Sequence, residues 1–188
     1  MNLPNKLSIL RILLIPVMVA VFYLPMIPYN YVISAGIFAI SAFTDFLDGY
    51  IARKYNLVTD LGKFLDPIAD KILVLSALVV IITEPTIMGY ENLVFGKILG
   101  GVGVSFIVAR EMAVSVLRMI ASGKGMVLAA EKVGKIKTFV TDFAILALLV
   151  SADISAIYYV GIVLFIISVI LTIYSGIFYL VKNREVFK

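Results

Sequence analysis

Six long apolar runs, separated by short polar stretches, constrain this chain more than any other feature. They cover about residues 7–24, 31–53, 67–82, 98–120, 133–150 and 157–181. Runs of roughly 16 to 25 residues suit tilted helices that cross a bilayer. Of the 188 residues 62% are hydrophobic, and mean hydropathy is +1.10, which is not the composition of a soluble domain. The reading is an all-α integral membrane protein with six transmembrane helices. Residues 1–188 read as one membrane domain without internal repeat, linker or low-complexity tract. The first run follows Lys6 and Arg11 and is not followed by a small-residue cleavage site, so it reads as an uncleaved span, with Pro16 a candidate kink. In the third run, Asp66 is placed to cap a helix that starts at Pro67.

The charges are one-sided. On this topology Lys97 alone among the 16 Lys and Arg residues falls on one face, and all the others fall on the opposite face. The positive-inside rule then places both termini at the cytoplasmic face. The other loops are nearly charge-free or acidic, with Glu84, Glu91 and Asp153. Cysteine and histidine are absent. That excludes a disulfide framework, a thiol nucleophile, a histidine base and a His/Cys zinc site. A metal would need oxygen ligands, which favours Mg²⁺, Mn²⁺ or Ca²⁺.

One cytoplasmic stretch, TDFLDGYIARKYNLVTDLGKFLDPIAD (44–70), holds five of the seven aspartates. On a helix, Asp45, Asp48, Gly49, Ala52 and Arg53 fall within an arc of roughly 140°. Gly62, Asp66 and Asp70 share a face at i, i+4 spacing if the third helix starts a turn early. Two such helix ends bring four carboxylates together, and four anions beside a low-dielectric layer need cations. Oxygen ligands on facing helices suit one or two divalent ions, and paired ions about 3.5–4 Å apart serve phosphoryl chemistry. Gly49 and Ala52 leave room for a bulky group, and Arg53 offers a planar cation to a phosphate. Asp60 reads as a loop residue facing water.

The pattern D-x2-D-G-x2-A-R-x8-G-x3-D-x3-D is met without a gap by Asp45, Asp48, Gly49, Ala52, Arg53, Gly62, Asp66 and Asp70. It resembles the signature of the CDP-alcohol phosphotransferase family, membrane enzymes of phospholipid synthesis. The likeness extends to chain size, to six spans and to the N-terminal NLPNKLSILR. It implies two divalent cations (Mg²⁺ or Mn²⁺) per site, one held by Asp45, Asp48 and Asp66, the other by Asp45, Asp66 and Asp70. It implies that Asp70 is also the catalytic base. It puts Gly49 and Arg53, with Thr59 nearby, at the CDP moiety. It further implies a homodimer in the cell membrane. Within the family the chain looks most like members that pass a phosphatidyl group from CDP-diacylglycerol to glycerol 3-phosphate. Asn5, Ser8 and Arg11 recur every third residue on the first helix; they read either as nucleotide contacts or as an interfacial anchor.

For the acceptor, Arg110, Arg118, Lys135 and Lys137 lie at the cytoplasmic ends of helices four and five, suited to a phosphate on the attacking alcohol. That favours glycerol 3-phosphate or inositol phosphate over serine or choline. Glu111 and Arg118, seven apart, share a face and could pair. Two positions depart from the family's habit: Ser8 stands where threonine is frequent, and Thr141 followed by Asp142 stands where glutamine is frequent. Asp142 lies inside a span, where a charge costs about 2.5–3.5 kcal/mol, so it should be paired, protonated or facing a wet cavity. Gly100, Gly101 and Gly103 read as helix-packing positions, and Tyr158, Tyr159, Tyr174 and Tyr179 as partly interfacial. Direct in-line attack is the simpler chemistry without cysteine or histidine. The rival reading is a cation transporter, which would carry polar residues near the midplane of several spans. Here the aspartate cluster sits at one face, and Asp142 is the one clear acid inside a span. Nothing points to nucleic acid.

Overall fold

The computed structural model describes residues 2–55, 59–87, 94–126, 128 and 131–187, with some side chains inside those stretches, including Ala52, Arg53 and Asp60, left out of the description. The described residues form six α-helices: α1 (Leu3–Phe22), α2 (Asn30–Lys54), α3 (Asp60–Thr83), α4 (Val94–Gly123), α5 (Lys132–Ser151) and α6 (Tyr158–Lys182). Short 3₁₀ turns at Ser155–Ile157 and Arg184–Phe187 complete the helical content, and no strand occurs among the described residues. By length and apolar composition, Pro4–Phe22, Asn30–Gly49 and Ser155–Lys182 qualify as membrane spans among the described residues. Large apolar side chains such as Leu13, Ile40, Phe139, Ile170 and Ile177 face outward, as a bilayer environment requires. The chain is a membrane protein.

The helix ends follow local chemistry. Asn2 caps α1 by accepting from Asn5 N–H at 3.2 Å, and Pro4 sits in the first turn, where its missing N–H is not needed. Helix α1 runs on through Pro16. The N-terminus of α2 has no side-chain cap of its own. Its orphan donor Val32 N–H is instead taken at 3.0 Å by Asp153, from the turn after α5. A carboxylate at a helix N-terminus is favoured by the helix dipole.

The start of α3 corrects the sequence reading. The helix begins at Asp60, capped by Thr59, whose hydroxyl accepts from Gly62 N–H at 3.0 Å. Asp60 is therefore helical, Asp66 is not a cap, and Pro67 lies inside the helix. A threonine cap contributes about 1 kcal/mol, and proline is tolerated at the cost of one backbone hydrogen bond. The early start is what puts Gly62, Asp66 and Asp70 on one helical face.

Helix α1 packs on α2 and α3, α5 on α6 and α2, and α4 on α6. The core of Met18, Phe22, Phe38, Leu73, Ala77, Leu78, Ile81, Ile107, Ile145, Leu148 and Phe165 lies between them. The most apolar helix, α6, buries a seam of Gly161, Phe165, Ser168, Thr172, Ser175, Gly176 and Tyr179. Small and weakly polar residues let helices approach where lipid gives no hydrophobic drive between them. A Cβ at Gly103 would lie 2.8 Å from the Phe165 ring, and one at Gly161 would lie 2.9 Å from Leu148 Cδ2 and 3.2 Å from its backbone N. Gly101 has open space instead, so of these two only Gly103 is a packing glycine. Gly161→Val is expected to destabilise the protein by about 1–3 kcal/mol through overpacking, whereas Gly36→Ala, with nothing within 4 Å, should not. Thermal unfolding in detergent checks both.

Candidate active site

The polar ends of all six helices converge at one end of the bundle. Three residues one turn apart on α1 form the inner wall: Asn5, Ser8 and Arg11 are all buried. Arg11 is fully buried and forks between two carboxylates of α2, with Nη1 at 2.5 Å from Asp45 Oδ1 and Nη2 at 2.5 Å from Asp48 Oδ2. Its Nε donates to Ser41 carbonyl at 3.2 Å. A planar guanidinium suits this fork and a lysine does not. Ser8 donates to Asp66 Oδ1 at 2.5 Å, tying α1 to α3. Thr59 donates to Asn5 Oδ1 at 3.0 Å. A Cβ on Gly62 would come 2.9 Å from the same oxygen, so glycine is needed there. The burial of Asn5, Ser8 and Arg11 takes them away from the solvated interface and equally from the open cleft: they hold Thr59, Asp66, Asp45 and Asp48 from behind.

Beyond this wall opens a cleft of about 580 Å³. Asp45, Asp66 and Asp70 line it from α2 and α3, and Arg110, Arg118 and Lys135 from α4 and α5. Three members of each set singled out in the sequence therefore face one space. Asp45 is 38% exposed and Asp48 1%, so Asp48 lies behind the others on the Arg11 side. Among the described residues, no three carboxylates form a ready-made metal cage. The donor set nevertheless fits a hard divalent ion. Asp70 has no hydrogen bond or ion pair among the described residues, and Asp45 and Asp66 each spend one oxygen on α1. Three carboxylates with oxygen to spare then share one cleft wall, which matches the oxygen ligands that Mg²⁺ and Mn²⁺ take.

The basic wall is built on glycines. A Cβ on Gly176 of α6 would lie 3.0 Å from Arg110 Cγ, and one on Gly134 of α5 would lie 3.3 Å from Arg110 Nη2. The side chain thus runs between two helices at glycine positions. Arg110 Nη1 donates to Glu111 at 2.8 Å, while its Nε is buried without a partner. Arg118 donates to the Tyr179 hydroxyl at 3.0 Å and lies over its ring at 5.4 Å.

Three expectations change here. Glu111 pairs with its chain neighbour Arg110 and with Lys137 of α5, not with Arg118, whose Nε is bonded to the Tyr179 hydroxyl instead. Tyr179 is a buried member of the site rather than an interfacial residue, since its hydroxyl is needed by Arg118. Lys137 does not line the cleft. It is 2% exposed, bonded to Glu111 at 2.7 Å, and faces a smaller pocket. Gly49 lies in α2 without a recorded polar contact, and the side chains of Arg53 and Ala52 lie outside the described residues. Tyr179, Gly176 and the Arg11 fork were not singled out from sequence; only the three-residue spacing of Asn5, Ser8 and Arg11 hinted at a working face.

Arg11→Met should be strongly destabilising, by about 3 kcal/mol or more, because it leaves Asp48 buried without its counter-ion. Thermal unfolding of the variant in detergent with chelator present, set against the double change with Asp48→Asn, checks this: the double variant should recover much of the loss.

Comparison with known proteins places this geometry. The family model described as CDP-alcohol phosphatidyltransferase matches residues 1–174. A Bacillus subtilis (strain 168) protein named CDP-diacylglycerol–glycerol-3-phosphate 3-phosphatidyltransferase is 36% identical over an alignment covering 100% of this chain and 97% of its own. A protein of the same name from Salmonella choleraesuis (strain SC-B67) is 39% identical, covering 97% of this chain and 95% of its own. Another, from Shigella flexneri serotype 5b (strain 8401), is 38% identical over the same shares. With its aspartate pattern gathered at one cleft and its whole length matched, the chain belongs to the CDP-alcohol phosphatidyltransferase family.

Proposed function

We propose that this protein transfers a phosphatidyl group from CDP-diacylglycerol to sn-glycerol 3-phosphate, giving phosphatidylglycerol phosphate and CMP. The observation that carries the reading is the two-sided cleft: Asp45, Asp66 and Asp70 on one wall, Arg110, Arg118 and Lys135 on the other. A transfer between a pyrophosphate donor and a phosphate-bearing acceptor needs both, one wall for each substrate. Full-length likeness to relatives bearing that name supports it.

Asp45, Asp66 and Asp70 would hold divalent cation, with Asp48 joining from the Arg11 side, and together the four carry oxygen enough for two ions. Such ions, Mg²⁺ or Mn²⁺, supply charge neutralisation of the pyrophosphate and of the leaving CMP. Gly49, Arg53 and Thr59 would bind the CDP moiety, and Asn5 and Ser8, both buried, hold Thr59 and Asp66 in place from behind. Arg110, Arg118 and Lys135 bind the acceptor phosphate and orient its free hydroxyl toward Asp70. The acceptor oxygen attacks the phosphorus that bears the diacylglycerol. The bond from that phosphorus to the CMP oxygen breaks, CMP leaves with the electron pair, and Asp70 takes the hydroxyl proton. Arg11 keeps Asp45 and Asp48 in place throughout. Residues 1–188 act as one membrane domain in a homodimer, with the cleft and both termini at the cytoplasmic face of the cell membrane. The one-sided Lys and Arg distribution supports that orientation.

Purified protein with CDP-diacylglycerol and Mn²⁺ or Mg²⁺ is offered labelled glycerol 3-phosphate, inositol phosphate or serine in separate reactions. A labelled lipid is expected from glycerol 3-phosphate, abolished by chelator and by Asp70→Asn. Arg110→Gln should raise KM for the acceptor about 10- to 100-fold, the scale of a lost charge-assisted hydrogen bond. Product from serine instead, or persistence of product in excess chelator, would sink the reading.

A further inference from the structure

Behind Asp70 the cleft is joined by a second, much smaller pocket of about 20 Å³, lined by Asp70, Lys71, Val74, Leu75, Glu111, Lys137, Thr138, Thr141 and Asp142. Asp70, Lys71, Glu111 and Thr138 line both spaces, so the pocket lies against the cleft. Its volume is that of a single water-sized group. Its chemistry is mixed. Lys137, 2% exposed, spends one ammonium hydrogen on Glu111 and has no other hydrogen-bond partner among the described residues. Asp142 has no hydrogen bond or ion pair among them. The hydroxyls of Thr138 and Thr141 are used on carbonyls of their own helix, at 3.1 and 2.9 Å.

The pocket therefore offers a donor-only cation beside an acceptor-only carboxylate, both with capacity unused. A hydroxyl, which accepts and donates at once, answers both. A carboxylate inside a span is costly and marks function by default. No role falls to Asp142 in the transfer chemistry proposed above.

We propose that this pocket receives the second hydroxyl of the acceptor, held between Lys137 and Asp142, so that Asp142 is a specificity-determining residue for phosphorylated vicinal diols. The inference rests on the transfer reading above and deepens it. The attacking hydroxyl stands at Asp70. The hydroxyl on the neighbouring carbon is then within reach of a pocket that Asp70 also lines. Arg110, Arg118 and Lys135 hold the phosphate at the far end. Three points of attachment fix which oxygen attacks. A site built to bond a hydroxyl rejects an analogue lacking it, because its own polar groups are left unpaired.

The test compares sn-glycerol 3-phosphate with 3-hydroxypropyl phosphate, which lacks only the middle hydroxyl, using the purified full chain with CDP-diacylglycerol and Mn²⁺. The wild-type protein is expected to favour glycerol 3-phosphate by about 10- to 100-fold or more in kcat/KM, the effect of a hydrogen bond to a charged group. In Asp142→Ala and the near-isosteric Asp142→Leu this ratio should collapse to within about threefold of unity. Equal use of both acceptors by the wild-type protein, which requires no variant to fold, overturns the inference and leaves the transfer reading standing. Retention of the wild-type ratio in an active Asp142 variant overturns it equally. No lipid product from either acceptor overturns the transfer reading and this inference together.

Discussion

The structure depends on one buried cation. Arg11 stands fully enclosed between Asp45 and Asp48. Without it, two carboxylates one helical turn apart would face each other and Asp66 in a region of low dielectric. Breaking a buried pair by removing one partner is far more costly than the pair itself is stabilising. The fork therefore fixes register more than it supplies stability: it sets the rotation of α1 against α2. Ser8, one turn earlier, then meets Asp66 on α3, and Asn5, one turn earlier still, meets the Thr59 cap. Three successive turns of one helix thus align the two halves of the aspartate pattern.

The second constraint is space for Arg110. A long cation can lie between α5 and α6 only where the facing positions have no side chain, and Gly134 and Gly176 meet that need. The Arg110 and Arg118 side chains then reach the same cleft as Asp45, Asp66 and Asp70, with Tyr179 supporting Arg118 from α6. Opposite charges on facing walls of one cavity attract across it, and among the described residues neither wall is in direct contact with the other. A substrate with phosphate at one end and a reacting oxygen at the other, meeting a pyrophosphate, is a natural bridge. Lys137, paired with Glu111, stays off the cleft, whose cations on α4 and α5 are Arg110, Arg118 and Lys135.

Much of this was legible in the sequence. Helix number and approximate extent followed from apolar runs of membrane length, because backbone groups in lipid must be satisfied within a helix. The carboxylates were legible because their spacing is helical. The start of α3 was misread because Pro67 with Asp66 before it looks like a helix entrance. The competing signal lies just upstream: Thr59 can cap a helix, and Leu61, Phe64, Leu65 and Ile68 follow it at helical spacing. Arg11 reads from sequence as a nucleotide contact or an interfacial anchor. Its role depends on the rotation of α1 against α2, a tertiary fact. Tyr179 reads as an interfacial aromatic for the same reason: it stands near the end of an apolar helix, and only the position of α4 shows that its hydroxyl meets Arg118. Gly176 gave no signal at all, since a glycine in an apolar helix is required only by what packs against it.

The most direct test of the account is anomalous scattering from Mn²⁺ in crystals of the full chain grown with CDP. The account predicts density within ligand distance of Asp45, Asp66 and Asp70, on the wall of the cleft that faces Arg110, lost in Asp70→Asn. Manganese bound only at Glu111 and Asp142, or absent from the α2–α3 wall at saturating concentration, would contradict the claim that the aspartate pattern is a metal centre for the donor.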